Sequence, residues 1–203
     1  HRVPVFDESH TGHQYFKGTF DALKPLLVSD NDYVRQEARN LLRDSLRRQI
    51  LVTQNKGWED RERHQITGEQ VGELQEMMKA ARENKQWDNL YSLIELVEDF
   101  AELSSLSGTY KEDNYGEVVS RDQSGELIAA FNKLIYDESL PNTKVKAKAA
   151  ETILMILSNR MMRQIQGSRD TRDFIDRQEW GRLTPHVAPV IRFLSDNYGP
   201  GQE

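Results

Sequence analysis

Cysteine is absent from this 203-residue chain, which excludes disulfides, thiolate metal sites and cysteine nucleophiles together. No apolar run approaches the roughly 18 residues of a membrane span; the longest candidate, Ile153 to Leu157, reads as part of a core helix. Basic excess is missing too, since 27 lysines and arginines face 33 aspartates and glutamates for a net charge of -6. That balance excludes a surface built wholly for nucleic acid, because phosphate binding rests on clustered Lys and Arg. Catalytic signatures are lacking as well. There is no Gly-x-Ser-x-Gly elbow, no phosphate-binding loop, and no Glu placed three residues before a His as a carboxylate-bridged di-iron bundle requires. No secretory pattern is visible, and with the absence of cysteine this predicts an intracellular, cytoplasmic protein that carries no cofactor or metal.

What is present is helical patterning. Apolar residues make up 37% and charged residues 30%, a balance that suits helices with thin, distributed packing. One arrangement occurs twice. Leu23, Leu26 and Leu27 precede a polar turn and then Val34, Arg35, Ala38, Leu41 and Leu42; Phe131, Leu134 and Ile135 precede another, then Val145, Lys146, Ala149 and Ile153. Each copy reads as two short antiparallel helices. Between them, Val71, Leu74, Met78 and Ala81 mark a helix introduced by Thr67 and Gln70 as a capping box. Trp87, Leu90, Tyr91, Ile94, Val97 and Ala101 mark its partner. The spacing therefore predicts an all-α fold, an irregular stack of antiparallel helix pairs or a helical bundle, with the second helix of the third pair as its most buried element.

The expected organisation is an extended arm over 1–16, a single helical domain over 17–198 with loops near 53–66 and 104–124, and a tail over 199–203. Pro25 predicts a bend in the first helix, and Ser29 to Asp32 supply N-cap oxygens for the second. Near the end, Arg169 to Glu179 reads as one short helix, with Thr184 and Pro185 as N-cap and first residue of another.

The duplicated pattern resembles HEAT or armadillo-type helical repeats. The first pair carries the resemblance through Leu26, Leu27, Asp30, Asp32, Val34, Arg35, Ala38 and Leu42, and the third through Leu134, Ile135, Asn142, Val145, Lys146, Ala149 and Ile153. The middle pair departs from it, with Trp87 and Tyr91 where Val and Ala would stand. The resemblance implies that Asp32 and Arg35 tie neighbouring repeats together. It also implies a surface for binding proteins, less commonly nucleic acid, and rarely catalysis.

Arg35, Arg39, Arg43 and Arg47 recur every four residues along one edge of a helix. This predicts either a solvated face or an anion-binding stripe, with Lys144 and Lys148 as further cations and Trp58 and Trp180 as aromatic anchors. On this reading the protein is a non-enzymatic scaffold that holds an acidic segment of a protein partner in a groove of second helices, alone or within a larger assembly. Replacing Arg39 and Arg43 with Glu is then expected to weaken the partner while leaving the melting temperature nearly unchanged. The alternative is a nucleic-acid-binding module using the same stripe with Lys144, Lys146 and Lys148. Acidic Asp88, Glu95 and Asp99 on the middle pair would interrupt a phosphate track. Glu95, Glu98, Asp99 and Glu102 read as a solvated acidic face rather than an acid–base pair. His10 and His13, on the arm, read as binding nothing.

Overall fold

The computed structural model describes residues 12–54, 68–106, 121–141, 143–167 and 177–198. Among them the chain is all-helical, with no strand. The helices are α1 (Gly12–Leu23), the 3-10 turn η1 (Lys24–Val28), α2 (Asp32–Gln54), α3 (Gly68–Glu83), α4 (Trp87–Leu106), α5 (Arg121–Ile135), α6 (Thr143–Gly167) and α7 (Arg177–Tyr198).

Consecutive helices pair: α1 packs on α2, α3 on α4, and α5 on α6. Short connections force each pair to run antiparallel. The second helices form a row in which α2 contacts α4 and α4 contacts α6, while α3 contacts α5 and α5 contacts α7 on the other side. Helix α7 also lies on α6 and so covers the last pair from both of its helices. One apolar cluster runs through all of this. It joins Phe20, Leu42, Leu74, Ile94, Phe131, Ile153 and Val190, each fully buried.

The local reasons are visible at each turn. Pro25, at the start of η1, supplies no backbone donor, and there the α-helix gives way to a 3-10 turn. Asn31 then caps α2, its side-chain oxygen accepting from the Val34 amide at 3.4 Å. Between α3 and α4 the Gln86 amide donates to the Ala81 carbonyl at 2.8 Å and the Lys85 amide to the Arg82 carbonyl at 3.0 Å. This is a Schellman closure, and it holds Lys85 in the left-handed region at φ 57°. A side chain there costs about 1 kcal/mol that glycine avoids. Lys85→Gly should therefore raise stability by roughly 0.5–1 kcal/mol, seen as a higher urea midpoint at unchanged slope. Between α5 and α6, Asp137 accepts from the Ser139 amide at 3.0 Å and hydroxyl at 2.6 Å, and so shapes the turn itself.

Several expectations need correction. Helix α1 starts at Gly12, so 12–16 are helical rather than extended; residues 1–11 lie outside the described residues. The C-terminal helix starts at Arg177, which places Pro185 and Pro189 inside it. Each removes one i→i−4 hydrogen bond. The Pro189 carbonyl accepts from the Tyr136 hydroxyl at 2.7 Å, tying α7 to the end of α5. Among the described residues α4, rather than α6, is the most buried helix. On α4, Leu90, Leu93, Ile94, Leu96, Val97, Phe100 and Ala101 are all buried, whereas Leu154 of α6 is 37% exposed. The cause is position, since α4 has α2 on one side, α6 on the other and α3 behind it.

Candidate functional site: the charged face of the second helices

On α2 the positions buried in the core are Ala38, Leu42 and Leu46, spaced four apart. Arg39 and Arg43 each follow one of these by a single position, about 100° further round the helix. That rotation brings them to the edge of α2 that meets α4.

On α4 the same geometry holds in reverse sign. Asn89, Ser92, Leu96 and Asp99 share one stripe, with Glu95 and Glu102 beside it on the solvent side. The two edges meet. Arg39 donates through Nε to Asp99 Oδ2 at 2.8 Å and through Nη1 to Glu95. Arg43 reaches Asp99 Oδ1 at 3.2 Å and Glu102 at 2.7 Å. Asp99, with its side chain only 8% exposed, thus receives two guanidinium groups from successive turns of α2. On the far side of α4, Glu98 accepts from Lys148 of α6 at 2.5 Å, and Glu151 shares that ammonium at 3.2 Å. Four α4 carboxylates therefore face three cations drawn from both flanking helices.

The surplus negative charge falls on Glu95. Burial raises its pKa above the ordinary 4.5, and Arg39 and Lys148 lower it by less than burial together with neighbouring Asp99 and Glu98 raises it. Relative to the unfolded chain, the fold therefore disfavours ionisation of Glu95. Its contribution to stability improves as pH falls through its folded pKa toward the unfolded value, and worsens as pH rises. Glu95→Gln should leave the melting temperature at pH 7 unchanged or higher. It should also abolish that share of the gain on mild acidification, as read by thermal melts between pH 7 and 4.5. Lys148 shows the opposite balance. Burial alone would lower its pKa, but the hydrogen bonds and charges of Glu98 and Glu151 outweigh it and hold it above 10.5. Its contribution is complete below that ordinary value and is lost only as pH rises through the folded pKa.

Other junctions carry pairs of the same kind. Lys24 of η1 meets Glu73 of α3 at 2.6 Å, and Arg82 at the end of α3 meets Asp137 after α5. The Ser139 hydroxyl and, next to it, Arg82 hold the Asp137 carboxyl below its usual range against the pull of desolvation. Asn89, buried at the start of α4, donates through Nδ2 to the Val28 carbonyl at 3.1 Å and so satisfies the end of η1.

The residues singled out from sequence thus separate. Arg35 is 5% exposed and bound to the Ser29 carbonyl at 2.6 Å and to Asp32 at 3.0 Å. It and Asp32 fasten the turn of their own helix pair, and neither is seen to reach the neighbouring pair. Arg39, Arg43 and Lys148 are engaged across helices as described. Arg47 on α2 and Lys144 on α6 are exposed. Trp58 lies outside the described residues, and Trp180 is in α7 with its side chain outside them. His10 and the His13 side chain are likewise outside them. Among the described residues, no group of three or more His, Asp or Glu side chains is arranged to hold a metal ion. None of their helices is long and apolar enough to cross a membrane.

The pairing of arginine and carboxylate was missed because each helix, taken alone, shows only an exposed charged edge. Its available signal was complementary spacing: Arg39 and Arg43 are four apart, as are Glu95 and Asp99, and Asp99 and Glu102 are three apart. Comparison with protein-family models, curated proteins and solved structures gives no match.

Proposed function

We propose that the chain is a non-enzymatic helical scaffold, an irregular stack of HEAT or armadillo-type hairpins, that binds another protein along its row of second helices. The observation that supports this reading is the order of contacts, in which α2, α4 and α6 succeed one another and α3, α5 and α7 do the same behind them. Sharing of one core by successive hairpins is how repeat proteins obtain an extended binding face. Large apolar side chains stay at the surface of that row, with Tyr33 68% and Leu154 37% exposed. Arg47 and Lys144 lie exposed on the same two helices.

The role first given to Arg39 and Arg43 changes within this proposal. Their charge is matched by Glu95, Asp99 and Glu102, so attraction of an acidic segment falls to Arg47, which is exposed. The nucleic-acid reading drew on the same stripe and gains nothing from the fold, since phosphate binding needs cations whose charge is not already neutralised.

The test is affinity capture from native extract with the wild-type chain and with a Tyr33→Ser, Arg47→Glu, Leu154→Ser variant. All three positions are outside the core, so the melting temperature of the variant should stay within about 2 °C of wild type. A specific co-purifying protein that the variant loses, at least tenfold by quantitative mass spectrometry, supports the proposal. Identical capture by both chains, or retention only of RNA or DNA, removes it.

A further inference from the structure

The two sides of α4 differ in chemistry. Toward α2 and η1 it presents Asn89, bonded to the Val28 carbonyl, and Asp99, bonded to Arg39 and Arg43, with Leu96 the one apolar residue between them on that stripe. Toward α6 the stripe marked by Glu98 and its partner Lys148 carries Ile94 one turn before and Ala101 one turn after, beside Leu90 and Val97. Contact between α4 and α6 is also far more extensive than between α4 and α2. Charged groups are thus concentrated in one seam, and contact is more extensive in the other.

The first pair is meanwhile well joined within itself. Helix α2 packs on both α1 and η1, and Arg35 binds the Ser29 carbonyl inside the turn that links them. Its link to α3 includes a further ion pair, Lys24 to Glu73.

We infer that α1, η1 and α2 form a module latched to α4 by the Arg39, Arg43, Glu95, Asp99 and Glu102 cluster, and that this module opens as a unit before α4, α5 and α6 come apart. A seam with less extensive contact than its neighbour and a dense set of partly exposed ion pairs has the properties of a low-energy opening. This latch is independent of what the scaffold binds.

Native-state hydrogen exchange on the whole chain, followed by mass spectrometry at increasing low urea, tests it. Peptides from 32–46 should open at lower urea than peptides from 145–157. An Arg39→Gln, Arg43→Gln variant should lose tenfold or more of the protection over 32–46 and less than twofold over 145–157. Arg39→Lys, Arg43→Lys should retain most of it. Opening of both regions together in the wild type, which needs no variant to fold, would overturn the inference. So would an equal loss of protection in both regions of the Gln variant.

Discussion

Replacing Arg39 and Arg43 together by glutamate should lower the temperature at which helical signal is first lost by about 10 °C, the reverse of what a solvated arginine stripe would give. Both side chains reach Asp99, which is 8% exposed, and Arg39 is itself only 20% exposed. Removing the cations strands that carboxylate in a poorly hydrated seam, and the new glutamates add two like charges beside Glu95, Asp99 and Glu102. Breaking a buried pair from one side costs about 3–5 kcal/mol. The Arg43 to Glu102 pair is 40% and 46% exposed at its two ends and adds little. A domain of this size moves roughly 2–4 °C per kcal/mol. Circular dichroism melts of the double variant read the result directly. A shift under about 2 °C would mean that the charged seam contributes no stability.

Phe131→Ala should have an effect of comparable size for a different reason. Phe131 is fully buried on α5, in the cluster that also holds Leu134, Ile135, Val145, Ala149 and Ile153. Truncation removes a large apolar side chain and leaves a cavity that rigid helix packing fills only in part, a loss of about 3–5 kcal/mol. Guanidinium unfolding should show a lower midpoint with little change in slope. The two variants should also differ in where they act. Loss of Phe131 weakens the apolar core around α5, whereas loss of the arginines weakens the charged seam between α2 and α4.

The helices themselves were readable from apolar spacing. Phe131, Leu134 and Ile135, and then Val145, Ala149 and Ile153, announced α5 and α6, and all six are buried at 7% exposure or less. Turn chemistry was readable as well, because Asn31 and Pro25 act through their nearest neighbours. Readings that failed depended on distant partners or on overridden local signals. Pro185 looks like a helix start, yet α7 runs on through it, with Val190 fully buried and Val187, Phe193 and Leu194 packed on the core. The arginine edge of α2 and the acidic edge of α4 were both seen, but sequence does not say which helices lie side by side. Two apparently solvated faces were one joint. Asn89 gave no signal at all, since an asparagine in the first turn of a helix has many uses.

The double engagement of Asp99 also bears on descent. Because one carboxylate answers two guanidinium groups on successive turns, neither helix can drift in register or charge without its counterpart. Orthologous chains should therefore alter positions 39, 43, 95, 99 and 102 jointly or preserve them all, and covariation among those columns would be the historical trace of this joint.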